Sequence, residues 1–138
     1  MKEIEVAATI DNLAKVFEFL DDSFNGLDVK PQTKRQIKLC VEEIYTNIAN
    51  YAYNPEIGPA KLTFAVDDEA KPARIIITFS DRGKPYDPLK RDDPDMELSL
   101  EETPIGGLGI YLVKETMDKV DYKLKDGKNV LIMEKELI

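Results

Sequence analysis

The segment IGGLGIYLVKETMDKV, residues 105–120, places three glycines directly before an amphipathic helix. Apolar residues recur at helical spacing after the glycines, at Ile110, Val113, Met117 and Val120, which predicts a helix with one buried face. Glycines at a helix start leave backbone amides free at the positive end of the helix dipole, an arrangement that suits phosphate oxygens. The spacing is neither the Rossmann nor the Walker pattern, since no GKS or GKT follows. A plain helix start is the competing interpretation.

Two further amphipathic helices are predicted upstream of this segment. The first runs from Ile10 to Phe24, and the second begins at Pro31 and ends before Asn54-Pro55. The predicted buried stripes are Ile10, Leu13, Phe17, Leu20 and Phe24 in the first helix and Ile37, Val41, Ile44, Ile48 and Tyr51 in the second.

Alternating apolar and polar residues predict five strands: 2–8, 61–67, 74–81, 121–125 and 129–137. The second and third strands form one hairpin, and Asp126-Gly127 joins the last two strands in another. Residues 82–104 form a long loop rich in proline and acidic residues. We therefore expect a single α/β (α+β) domain over residues 1–138. It would be a two-layer sandwich in which helices cover one face of a mixed, mostly antiparallel sheet.

Composition excludes several classes of function. The 138 residues carry a formal charge of −8 with a pI near 4.6, which disfavours direct binding to nucleic acid. The chain has no histidine and a single cysteine, Cys40, so zinc centres, an internal disulfide, Ser-His-Asp hydrolysis and histidine phosphorylation are not expected. It has neither a long apolar run nor a signal peptide, so we expect a cytoplasmic protein that does not enter a membrane.

The polar side of the second helix holds three candidate site residues within VEEIYTNIANYAYNP, residues 41–55. Glu43, Asn47 and Asn50 follow one another at intervals of four and three residues, so they share one helix face. A carboxylate there can act as a general base, and an amide oxygen can coordinate Mg²⁺. A solvated helix face is the alternative interpretation.

A third candidate segment, FSDRGKPYDP at residues 79–88, lies at the end of the predicted hairpin strand 74–81. Asp81 only accepts hydrogen bonds, so it can receive the exocyclic amine of adenine and disfavour guanine. Gly83 lets the backbone approach a flat base closely. The same residues also fit an ordinary Asp-x-Gly turn.

Taken in chain order, the segments 41–55, 79–88 and 105–120 resemble the N, G1 and G2 boxes of the gyrase, chaperone and histidine-kinase ATPase superfamily, whose ATP site is called the Bergerat fold. The forms DRGKPYDP and IGGLGIYLVKETMD, together with the closing strand GKNVLIMEK, are similar to those of the bacterial anti-sigma-factor kinases. The resemblance covers nearly the whole chain.

The resemblance implies roles for particular residues. Glu43 would be the catalytic base, and Asn47 the Mg²⁺ ligand at the ATP site, with Asn50 nearby. Asp81 would bind the adenine amine, and Gly83 would shape the adenine pocket. The residues Gly106, Gly107, Leu108 and Gly109 would form the phosphate-facing lid.

The same resemblance implies a function and partners. Such proteins transfer the γ-phosphoryl group of ATP to a serine of a STAS-type antagonist, and otherwise bind and silence a sigma factor, with a homodimer as the expected assembly. The chain departs from the family at Asn129, where many members have threonine or serine. Three alternatives stay open: a catalytically silent ATP- or ADP-dependent binding module, a detached catalytic domain of a histidine kinase, and a fold whose motifs are only turns and solvated faces.

Overall fold

The computed structural model describes residues 1–90 and 107–137. Its three α-helices and five strands, in chain order, are β1 (Lys2–Ala7), α1 (Leu13–Phe24), α2 (Pro31–Asn47), β2 (Pro59–Asp67), β3 (Arg74–Asp81), α3 (Gly107–Thr116), β4 (Lys119–Lys125) and β5 (Lys128–Glu136). Short 3₁₀ turns lie at Ile10–Asn12 and Pro88–Lys90, and a π-helical turn, Ile48–Ala52, extends α2.

The strands form one sheet in the order β1-β2-β3-β5-β4. All four pairings between described strands are antiparallel, so the expected two-layer α+β sandwich is confirmed, and no parallel pair occurs in this part of the chain. Strand β3 lies at the centre, and its residues are alternately buried and half-buried, with Ile75, Ile77 and Phe79 on the buried face. This period of two gives the sheet one face for the core and one face for other contacts.

The helices supply the other layer of the core. Val16, Leu20 and Phe24 of α1 are buried, and the Phe24 ring meets Phe64 of β2 edge to face at a centroid distance of 5.6 Å. Helix α2 contributes the predicted Ile37, Val41 and Ile44, and α3 contributes Ile110 and Val113, with Met117 buried just beyond it. Together these side chains form one continuous core.

Two predicted core residues are exposed. Ile10 lies in the 3₁₀ turn before α1 and is 48% exposed, because the α-helix begins only at Leu13 and Val16 takes the buried position. Tyr51 is 51% exposed, since it lies in the π-helical turn, whose wider spacing changes the direction of the side chains that follow Asn47.

A buried tyrosine joins α2 to the end of β1. The Tyr45 hydroxyl donates to the carbonyl oxygens of Thr9 and Ala7 at 2.6 and 3.3 Å. Burial raises the pKa of Tyr45, so the hydroxyl stays protonated and acts as the donor. This contact sets the position of the helix face on which the candidate site residues lie.

The predicted loop at 82–104 contains the 3₁₀ turn at Pro88–Lys90 in its first part, and its remainder from residue 91 lies outside the described residues. Among the helices that the structure describes, none is long and apolar enough to span a bilayer.

Candidate functional site

A cavity of about 810 Å³ opens at the end of α2, between its π-helical turn, the end of β3 and the start of α3. This volume lies in the range of roughly 300 to 1,000 Å³ that is typical of small-molecule sites. Its apolar walls include Ile44, Ile48, Phe79, Ile110 and Leu131. The cavity is therefore suited to a flat apolar group held by a few polar contacts.

The candidate residues of α2 take different positions relative to this cavity. Asn47 lines it. Glu43 lies one turn earlier, half-buried, against the first turn of α3, where a Cβ atom at Gly109 would overlap its Oε2 atom. Asn50 is exposed and is not part of the cavity wall, so the geometry gives no support to its predicted contact with a nucleotide.

Asp81 ends β3 inside the cavity and is 8% exposed. Its Oδ1 atom accepts hydrogen bonds from the Gly83 amide at 2.8 Å and from Asn129 Nδ2 at 3.0 Å. Within the described part of the chain, Oδ2 has no hydrogen-bond partner. The carboxylate thus keeps one free acceptor for a donor group on a ligand.

The backbone after Asp81 packs against the end of the π-helical turn. A Cβ atom at Gly83 would overlap the backbone oxygen of Ala52, and the Lys84 amide donates to that same oxygen at 2.9 Å. The Tyr53 hydroxyl accepts from the Arg82 amide at 2.8 Å and donates to the Pro59 oxygen at 2.6 Å. Glycine at 83 is therefore required by close backbone packing, which holds the loop that carries Lys84 and Tyr86 along the cavity.

The glycine-rich segment is described only in part. Helix α3 begins at Gly107, so Gly107 and Gly109 lie in its first turn, as the sequence predicts. Gly106 and the side chain of Leu108 lie outside the described residues. The predicted phosphate contacts of these residues stay a prediction, whereas the contact between Gly109 and Glu43 brings α3 against the candidate base.

Three tyrosines line the cavity without having been predicted to do so: Tyr51, Tyr86 and Tyr122. Helical periodicity assigned Tyr51 to the core. Tyr86 lies within the segment DRGKPYDP but was given no role there, and no motif marks Tyr122. Asn129, where the chain departs from the family pattern, is 8% exposed, lines the cavity and donates directly to Asp81. The sequence could have pointed to Asn129, because it is the one uncharged polar residue of a strand whose other residues are apolar or charged.

Over residues 1–90 and 107–137, no cluster of three or more carboxylate or thiol groups is placed to hold a metal ion by itself. Asn47 places an amide on the cavity wall. Mg²⁺ is commonly bound by one or two protein oxygens together with substrate phosphates and water. The donor set at Asn47 fits an Mg²⁺ ion that arrives with a nucleotide.

Comparison with known proteins shows the family of the chain. A family model described as the histidine kinase-like ATPase domain matches residues 6–135. The serine/threonine-protein kinase BtrW of Bordetella bronchiseptica is 29% identical over 97 residues, covering 70% of this chain and 66% of BtrW. The serine-protein kinase RsbW of Bacillus cereus is 30% identical over 100 residues, covering 70% of this chain and 60% of RsbW. The match thus spans less than two thirds of these relatives.

Solved structures share the fold at low sequence identity. The RsbU and RsbW domains of a Mycobacterium tuberculosis protein match with a TM-score of 0.67 and 12% identity, covering 99% of this chain and 33% of that one. The histidine kinase domain of a blue-light activated kinase from Erythrobacter litoralis matches with a TM-score of 0.51 and 14% identity, covering 92% of this chain and 60% of that one. These likenesses support the fold.

Proposed function

Because the chain belongs to the histidine kinase-like ATPase domain family, we propose that it binds ATP in the cavity at the end of α2 and transfers the γ-phosphoryl group to a serine of a protein substrate. The observation that carries this proposal is the cavity itself, which combines apolar walls with Asn47 and with the free acceptor of Asp81. The relatives BtrW and RsbW are named serine or serine/threonine kinases, which supports the same reaction.

The adenine ring of ATP would lie at the end of β3. Adenine presents an amine donor at its 6 position, which matches the free Oδ2 atom of Asp81, whereas guanine presents an oxygen there. Phe79 and Leu131 supply apolar surface to the base, and Gly83 keeps the adjacent backbone close to the cavity.

The phosphates would extend from the base toward the start of α3. There the serine Oγ atom attacks the γ-phosphorus while the bond from that phosphorus to the bridging β-oxygen breaks, and ADP leaves. Glu43 takes the proton from the serine hydroxyl. Positioning and charge stabilisation supply most of the rate in such transfers, so the backbone amides at Gly107 and Gly109 would contribute by facing the phosphates.

Asn47 would hold Mg²⁺ at the phosphates, with phosphate oxygens and water as the other ligands. When bound, Mg²⁺ neutralises charge on the phosphates. Asn47 thereby orients the nucleotide relative to Glu43, one helical turn earlier.

The protein substrate would be a STAS-type anti-sigma-factor antagonist, and the chain would otherwise bind a sigma factor and hold it inactive. This follows the resemblance to anti-sigma-factor kinases and the RsbW relatives. The formal charge of −8 fits a regulator that acts through proteins and makes no direct contact with nucleic acid. Such regulation takes place in the cytoplasm.

The sheet face opposite the helices offers a surface for a homodimer. Ile76 and Ile132 are half-buried on this face. Glu5 lies on the edge strand β1, and Lys119 and Lys123 lie on the other edge strand, β4. A two-fold axis parallel to the strands would place the glutamate edge of one copy opposite the lysine edge of the other. Light scattering should then report a dimer for the wild type and a monomer for Ile132→Glu, and a monomeric wild type would contradict the assembly.

The ATP site is tested first by thermal unfolding with Mg²⁺ and ATP, ADP or GTP. A ligand at one hundred times its dissociation constant adds about 2.7 kcal/mol, which raises the midpoint of a domain of this size by roughly 5 to 10 °C. We expect the shift with adenine nucleotides and not with GTP, and a reduced shift in Asn47→Ala and Asp81→Ala. No shift with any nucleotide would refute the ATP site.

Phosphoryl transfer is tested with radiolabelled ATP and purified STAS-domain proteins from the same genome. Glu43→Gln keeps the size of the side chain and removes the base, so we expect it to bind ATP as the wild type does and to label the substrate at least 100-fold more slowly. Binding without labelling in the wild type would instead establish a catalytically silent ATP-dependent binding module.

A further inference from the structure

Helices α2 and α3 pack against each other next to the candidate base. Glu43 of α2 contacts Gly109 in the first turn of α3, and the Cys40 thiol interacts with the side chain of Thr116 at the other end of α3. These contacts run backward along α2 and forward along α3, so the two helices are antiparallel neighbours. Since Gly109 has no side chain, α3 places only its backbone against the Glu43 carboxylate.

An exposed leucine lies on each helix beside this contact. Leu39 precedes Glu43 by one turn of α2 and is 42% exposed. Leu112 follows Gly109 by three residues in α3 and is 37% exposed. Residues three or four apart share one face of a helix, so each leucine lies on the side of its helix that meets the other helix. The two leucines, called the leucine pair below, therefore form an apolar surface next to Glu43.

Charged side chains lie at both ends of this surface on α2. Arg35 lies one turn before Leu39 and is exposed, whereas Glu42 and Glu43 follow Leu39. Over residues 1–90 and 107–137, neither Arg35 nor Glu42 forms an ion pair. The Arg35 guanidinium is therefore available to an acidic group on a partner that covers the leucine pair.

We propose that the leucine pair and Arg35 form the docking surface for the protein substrate. The inference rests on the proposed phosphoryl transfer with Glu43 as the base. Asn47, one turn after Glu43, lines the cavity that would hold the nucleotide, so the substrate serine has to approach Glu43 from the side of the leucine pair. The segment that carries this serine should present an apolar side chain to the leucines and an acidic group to Arg35.

A docking surface of this kind changes the affinity for the protein substrate and leaves the nucleotide site unchanged. Neither Leu39 nor Leu112 lines the cavity. Exposed apolar area of this size, once covered by a partner, strengthens binding by roughly 10-fold for each leucine. Because the leucines hold the substrate and take no part in the transfer, their loss should raise KM for the substrate and leave kcat nearly unchanged.

The test measures the labelling of a purified STAS-domain protein from the same genome over a range of its concentrations, with radiolabelled ATP in excess. Leu39→Gln and Leu112→Gln remove the apolar surface and keep a residue of similar helix propensity. We expect KM for the STAS-domain protein to rise roughly 10-fold in each variant. The dissociation constant for ATP, measured by calorimetry, should stay at the wild-type value.

Val66→Gln is the matched control for the leucines. Val66 is 37% exposed, as Leu112 is, but it pairs with Ile75 at the end of β3 opposite to Asp81. We expect its KM to equal that of the wild type. The melting temperature identifies any variant that fails to fold, and the other leucine variant then carries the comparison.

Arg35→Glu tests the charge of the surface. KM should rise more in about 0.05 M salt than in about 0.5 M salt, because salt screens exposed charges. Lys71→Glu makes the same change of charge at an exposed lysine in the β2–β3 turn and should leave KM unchanged.

Two results would overturn the docking surface. One is a KM within about twofold of the wild-type value in the folded leucine variants, since burial of a leucine predicts a larger change. The other is a loss of ATP affinity as large as the rise in KM, which would assign the leucines to the nucleotide site. A wild type that labels no STAS-domain protein would refute the proposed transfer before any variant is compared, and the docking surface with it.

Discussion

Substituting Gly109 by alanine should separate phosphoryl transfer from ATP binding. The added Cβ would overlap Glu43 Oε2 and would lie 3.1 Å from Cδ and 3.7 Å from Cγ of the same side chain. Optimal carbon contacts lie at about 3.5 to 4.0 Å, so the Cγ atom can stay in place while the carboxylate moves. The required movement is roughly 1 Å, and a displacement of that size at a reacting group costs about 100-fold in rate.

The same substitution should leave the fold intact. Alanine is favoured over glycine inside a helix by up to about 1 kcal/mol, so α3 gains stability where the reaction loses rate. We expect a melting temperature at or above that of the wild type. The dissociation constant for ATP should stay within about threefold of the wild-type value, because Glu43 acts on the attacking serine hydroxyl and not on the adenine ring. The assay is labelling of a STAS-domain substrate with radiolabelled ATP, beside calorimetry with ATP.

A double-mutant cycle with Glu43→Ala identifies the cause. If the methyl group acts through the carboxylate, Gly109→Ala lowers the rate in the wild-type background and has no further effect once the carboxylate is absent. An equal loss in both backgrounds would refute the reasoning, and so would a loss of ATP affinity as large as the loss of rate. Either result would show that the methyl group acts on the phosphate contact proposed for the Gly109 amide and not through Glu43.

Three further results are expected. Burial raises the pKa of the Cys40 thiol from 9.0 to about 11, so the stability that comes from the neutral thiol is present below pH 9 and is lost between pH 9 and pH 11. Raising the pH from 8 to 10 should lower the free energy of unfolding, measured with urea, by about 1.4 kcal/mol less in Cys40→Ala than in the wild type. Equal decreases in the two proteins would contradict the raised pKa of the thiol. Tyr45→Phe should lower the free energy of unfolding by about 1 to 3 kcal/mol, because the carbonyl oxygens at 7 and 9 lose a donor; an unchanged urea midpoint would argue against these bonds. Gly83→Ala should abolish the thermal shift with ATP. Gly127→Ala is the control, because Gly127 lies in the β4–β5 turn at φ +75° with open space around it. It should lower the melting temperature but keep the thermal shift with ATP. A thermal shift with ATP that survives in Gly83→Ala would show that the loop adapts to the added methyl group.

Much of the fold was predictable from periodicity. Strand β3 was predicted at its observed bounds, Arg74–Asp81, because its alternation of residues reflects one buried face. The start of α2 at Pro31 was also predicted, since proline suits a first turn. The exposed Ile10 was predicted wrongly because a 3₁₀ turn and an α-helix carry the same short apolar pattern but present different faces.

The candidate site was predictable where a motif names residues that line the cavity. Asp81 and Asn47 lie on its wall, and their contacts with adenine and Mg²⁺ stay predictions. The place of Tyr51 in the cavity wall was missed, because the apolar residues of α2 keep α-helical spacing up to Tyr51 in the sequence. In the structure this residue lies in a π-helical turn, where side chains point in different directions. The bonds of Asn129 to Asp81 and Tyr122 join residues 48 and 7 positions apart, so sheet register creates them and no local pattern reports them.

The contacts that hold the site join elements that are distant in the chain. Glu43 is positioned by its approach to Gly109, Asp81 by Asn129, and Gly83 by the backbone at residue 52. A change at a supporting position such as residue 129 can therefore shift the motif residue that it contacts while that motif residue stays the same.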